Sequence, residues 1–160
     1  MNYPTIALYP LIEKVAGLLK NSAEISEFCV TNYGKNPKIS IGYNKKLRFD
    51  AAYNPAIMVL PGTKNEGLNR DANTYNFTIG WCVTKDVIND IDGISILPGI
   101  EQCDQLGQLI INCFCEEFKR RAEVDTIDYE IEPVEMYPQF PGYMDITIRL
   151  PSAIGGKLEF

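Results

Sequence analysis

Cys113 and Cys115 flank Phe114 in the stretch "INCFCEEFKRR", and Glu116 and Glu117 follow them. Thiols and carboxylates packed this closely could bind a metal or carry redox chemistry. The apolar spacing around them is helical, however, and on a helix residues two apart point to roughly opposite sides. The two thiols therefore cannot converge on one ion as a Cys-x-x-Cys hairpin does, and the chain has no histidine to complete a ligand set. A buried free cysteine behaves as a small hydrophobe. The stretch reads as core packing plus one boundary thiol, and no metal ligand, cofactor or catalytic residue is assigned to it.

The absence of histidine also removes Ser-His-Asp and Cys-His nucleophile systems and the commonest general base near neutral pH. Carboxylate chemistry remains, and the densest acidic run is "DYEIEPVE". Asp128, Glu130 and Glu132 alternate with Tyr129 and Ile131, so all three acids share one strand face, roughly 7 Å apart. Such regular spacing gives no acid the distinct environment that a general acid needs beside a general base. The row reads as a solvated sheet face and a candidate interaction face.

Two further stretches fail as ligand sites. In "NDIDGIS", placing Gly93 as the glycine of a calcium loop puts Ile88 and Gly99 where carboxylates are required, so an Asp-Gly turn is the better account. "AIGGKLEF" lacks P-loop spacing and a following helix. The Pro-rich "MYPQFPGYM" presents Tyr137, Phe140 and Tyr143 and reads as an ordered protruding loop, a candidate partner contact.

The bulk numbers agree with an ordinary folded domain. With 46% hydrophobic and 22% charged residues, 160 residues can bury one core, and a single domain spanning 1–160 is expected. The net charge of −6 disfavours a broad grip on nucleic-acid phosphates, and no sequence-specific nucleic-acid binding is expected. No apolar run approaches the roughly 18 residues of a membrane span, and the N-terminus has no secretion-signal pattern. Five cysteines in a chain with room for a core suit reduced thiols in a cytoplasm.

The elements that position these residues follow from periodicity. Tyr9, Ile12, Val15, Ala16 and Leu19 predict a first helix, and "NSAEISEF" predicts a further helical turn capped by Ser22. "KISIGY" and "PAIMVLPG" predict strands, the second buried on both faces and stopped by Pro61-Gly62. "TYNFTIGWCVT" alternates aromatic and branched residues with small polar ones, which predicts a central antiparallel strand. After a loop through "KDVINDIDGISILPG", Cys103, Leu106, Ile110, Phe114 and Phe118 form the stripe of a helix near 98–121. "TIDYEIEPVEM" and "YMDITIRLP" predict closing strands, with a flexible tail from about residue 152. The expected class is α+β: a mainly antiparallel mixed sheet under two principal helices, in the order α-β-β-β-α-β-β.

This succession resembles the tail-terminator and tail-completion (minor tail) proteins of long-tailed bacteriophages. The features that carry the resemblance are the helix ending near "GLLKNSAEISEF", the "PAIMVL" strand, the long "TYNFTIGWCVT" strand, the helix "IEQCDQLGQLIINCFCEEF" and the closing "YMDITIRLP". The "TKDVINDIDGISILPG" loop and the Pro-rich segment depart from the pattern. The resemblance implies a non-enzymatic protein that assembles with itself as a ring, often a hexamer, between tail tube and head. Its other partners would be tail and head-completion proteins, in the bacterial cytoplasm during assembly and then in the virion tail. It also implies an acidic lumen for DNA passage, for which Asp128, Glu130 and Glu132 are the candidates. The competing expectation is a small cytoplasmic ligand- or protein-binding module that uses the aromatic 137–143 segment.

Overall fold

The computed structural model describes residues 7–66, 72–119, 123–132 and 137–151. The expected tail from residue 152 lies outside the described residues. The chain starts with helix α1 (Leu8–Asn21), which buries Leu11, Ile12, Val15, Ala16 and Leu19. Leu11 rather than Tyr9 opens the apolar stripe; Tyr9 stands in solvent. Ser22 ends this helix and caps the next, its Oγ accepting from the Ile25 N–H at 3.3 Å. That second helix, α2 (Ala23–Tyr33), runs well beyond the single turn expected from sequence, and it stops at Gly34, whose φ of 72° suits glycine.

Strand β1 (Lys38–Ile41) leads through the short helix α3 (Lys45–Phe49) and a 3-10 turn (Ala51–Tyr53) into β2 (Ala56–Asn65). β1 and β2 pair in parallel, which requires such a crossover between them. β2 does not stop at Pro61-Gly62; it continues past them with a register shift before Lys64. Strand β3 (Ala72–Thr84) follows, then a separate hairpin of β4 (Asn89–Ile91) and β5 (Ile94–Ile96) within the segment expected to be a loop. Helix α4 (Pro98–Phe118) and strands β6 (Glu123–Ile131) and β7 (Gln139–Pro151) complete the described fold.

The main sheet has the order β1-β2-β3-β7-β6, antiparallel except at β1–β2. The class is α+β, as the sequence predicts. α1 packs over β1 and β2, α4 over β3, β7 and β6, and α2 packs against α4. The core between these layers holds Ile57, Val59, Phe77, Ile79, Trp81, Ile146 and Ile148 from the sheet, and Cys103, Leu106, Ile110, Phe114 and Phe118 from α4. Each of these large α4 side chains contributes about 1.5–3 kcal/mol by leaving water, and truncating Phe114 to Ala would cost about 3–5 kcal/mol. No helix among the described residues is long and apolar enough to cross a membrane.

Candidate functional site

The helices cover one face of the sheet and leave most of the other open. On β3 the residues Tyr75, Phe77, Ile79, Trp81 and Val83 are buried, so Thr74, Asn76 and Thr78 lie on the opposite face. The register sets Asn76 opposite Thr147, Thr78 opposite Asp145, and Asp128 of β6 opposite Asp145 on the other side of β7.

Short polar contacts tie this face together. Asn76 Nδ2 donates to Thr147 Oγ1 at 3.3 Å. Thr78 Oγ1 donates to the Asp145 carboxylate, and the Tyr143 hydroxyl donates to Glu130. That bond to Glu130 raises the Tyr143 hydroxyl above its ordinary pKa, because ionising the phenol would set two negative charges together. Asp128 has no such donor among the described residues.

Of the three acids singled out from sequence, Glu130 and Glu132 both lie close to Tyr143. Asp128 and Glu130 are exposed on the open face of β6. Glu132 lies past the strand's end, half-buried, with its N–H bound to Pro141 O at 3.0 Å. The aromatic trio does not form a loop. Phe140 and Tyr143 belong to β7, and pairing of Gln139 with Thr84 at the start of the ladder draws the segment into the sheet. Phe140 is fully buried, against Gly99 of α4, and only Tyr137 is exposed, its hydroxyl donating to Asp86 at 2.6 Å.

Beside Tyr143 the open face dips into a groove of about 220 Å³. Gly80 is among the residues lining it, with Tyr43, Met58, Leu60 and Pro141 as apolar walls and Glu132 also at its edge. Small-molecule sites span roughly 300–1,000 Å³, so this groove is sized for a side chain rather than a cofactor. Next to it, Leu47 of α3 covers Ala56 and Met58.

Burial pushes the Cys29 and Cys103 thiols up to about 12 and raises those of the half-buried Cys113 and Cys115. Among the described residues no group of three or more His, Cys, Asp or Glu side chains could hold a metal ion.

The feature that sequence reasoning missed is the β4–β5 hairpin. Its turn, Asp92-Gly93, has φ of 52° and 77°, both positive as the tightest hairpin turn demands. Ile91 pairs with Ile94, and Asn89 with Ile96, so three isoleucines share one face of the hairpin. Half of the exposed large apolar side chains among the described residues are Val87, Ile88, Ile91, Ile94, Ile96 and Ile100, with Ile94 64% exposed. The signal in "VINDIDGISI" is an Asp-Gly pair flanked directly by Ile91 and Ile94, with further β-branched residues on either side.

No protein-family model matches the chain, and no curated protein shows significant similarity to it.

Proposed function

We propose that this chain is a structural, non-catalytic subunit of a phage or prophage tail, closing with copies of itself into a ring that terminates or completes the tail tube. The observation that carries the reading is the hairpin: a packed domain that keeps a row of isoleucines in water on a projecting arm holds a surface for a neighbour. The order of long strand, amphipathic helix and closing strands supports the resemblance to tail-terminator proteins. The exposed acids Asp128 and Glu130, with Asp145 beside them, supply a candidate lining for a DNA passage. Like charge would keep DNA from sticking there, over a range of about 8 Å at physiological salt.

In this reading the ring forms in the bacterial cytoplasm and stays in the virion tail, joined to other tail and head-completion proteins. Two experiments test it together. Light scattering coupled to size exclusion is expected to give a mass that grows with concentration toward a closed ring. Electron microscopy of tail tubes mixed with the protein is expected to reveal a ring at one end. Bare tube ends at saturating protein would overturn the reading.

A further inference from the structure

Among the described residues, two of the exposed apolar surfaces are of complementary kinds, one an arm and one a groove. One is the projecting hairpin. The other lies on the segment from β1 to the 3-10 turn, where Ile41, Tyr43 and Tyr53 are exposed and Tyr43 walls the groove beside Gly80. Their charges are also opposite. From Asp86 to Phe118 the sequence has no lysine or arginine and has seven acids, Asp86, Asp90 and Asp92 among them. Between Glu27 and Asp50 there is no acid, while Lys35, Lys38, Lys45, Lys46 and Arg48 all fall there. Among the described side chains, Asp86, Asp90 and Asp92 form no ion pair with Lys35, Lys38, Lys45 or Lys46.

From this complementarity we infer that the occupant of the groove is the β4–β5 hairpin of a second copy of the same chain. Ile94, from its isoleucine face, enters the groove between Tyr43 and Tyr143 over Gly80, and Asp92 in the turn comes to lie against Lys45 and Lys46. The groove is too small for an ordinary ligand but takes a branched aliphatic side chain. Gly80 contributes by leaving the space above the strand open: a Cβ there would meet the Met58 methyl only at 3.7 Å.

The contact is heterologous, with a convex surface on one copy and a concave surface on the next. Contacts of this kind propagate head to tail and close only as rings, or else continue as filaments. Each one can be weak, because ring closure makes the last association intramolecular. The inference rests on the reading of the chain as a self-assembling subunit and names the surfaces that join.

The test uses the full chain. A photo-crosslinking residue in place of Ile94 is expected to give covalent dimers at protein concentrations up to roughly 1 mM, with adducts in residues 43–60, 78–80 or 141–143. High salt is expected to lower their yield. The variants Ile91→Asp/Ile94→Asp and Gly80→Val are each expected to lose association, and an equimolar mixture is expected to form a dimer and nothing larger, since each supplies the surface that the other lacks. If Gly80→Val misfolds, Tyr43→Asp at the exposed groove wall replaces it. Absence of crosslinked dimers overturns the inference, as do hairpin-to-hairpin adducts or a mixture that stays monomeric. Rings whose adducts from position 94 fall elsewhere overturn this contact while leaving the tail-ring reading standing.

Discussion

The indole of Trp81 occupies the space that a side chain on Gly142 would need, the two being register partners across the β3–β7 ladder. Gly107 of α4 approaches the same ring, and Trp81 Nε1 donates to Cys103 O at 2.9 Å. The ring of Tyr129 lies 5.3 Å from that of Trp81, so one tryptophan locks β3, β7, β6 and α4 together.

Alanine at either glycine should therefore destabilise the fold. At Gly142 the added methyl overlaps the indole, with an expected cost of about 1–3 kcal/mol. At Gly107 the change recovers about 1 kcal/mol of helix propensity, but the methyl collides with Trp81 and Tyr129, so the net effect is still a loss. Urea titration checks both variants: the midpoint should fall with an unchanged slope.

Asp128 faces Asp145 directly across the β6–β7 ladder, and like charges so placed repel. Asp128→Asn is expected to raise stability by about 0.2–1 kcal/mol, again read from the urea midpoint. Replacing Asp128, Glu130 and Glu132 together with lysine is expected to leave the fold intact and to lower the yield of infective particles, if the face lines a DNA passage.

Burial of two thiols makes stability pH-dependent on the alkaline side. Cys29 and Cys103 are held neutral up to about 12, whereas in the unfolded chain a thiol ionises near 8.5. Above that value the unfolded state binds fewer protons than the folded one, so stability falls as pH rises. The contribution is complete below about 8.5 and is lost toward 12, at about 1.4 kcal/mol per pH unit for each thiol. Denaturant melts from pH 8 to 11 should therefore give a shallower decline for Cys103→Ala than for the parent, whatever constant offset the lost side chain adds.

Gly93→Ala forces a side chain into the left-handed region at φ 77°, a cost of about 1–2 kcal/mol. A two-stranded hairpin is marginal by itself, and this one belongs to no other sheet. Hydrogen exchange should find the β4–β5 amides unprotected in the variant, while the main sheet keeps its protection and the melting temperature is unchanged.

The parts of the fold that could be read from sequence are those with one buried face. β3 and α4 segregate apolar from polar residues because one side of each meets the core. α2 buries only Ile25 and Cys29, too few to set a period, so most of its length was invisible. The 137–143 segment reads as a loop because Pro138 and Pro141 break the strand pattern, yet a ladder to β3 running from Thr84 to Ala72 overrides them. The acid row is legible through Glu130, and Glu132, one residue past the end of β6, is still bound to β7 through its N–H to Pro141 O. The hairpin's strands are three residues each with no buried face, too short for alternation to register, so only the Asp-Gly pair between Ile91 and Ile94 marks it in the sequence.

The hairpin is held at its base by the Lys85 N–H bound to Pro138 O at 2.9 Å, and at its other end by the first turn of α4, where the Ile100 N–H reaches Leu97 O. Between those anchors nothing in the core depends on its length. Residues added or removed in pairs at the turn, or exchanges of its isoleucines, would leave the packing of the main sheet and α4 untouched. The arm is thus the part of the molecule whose length and surface are free of the demands of core packing.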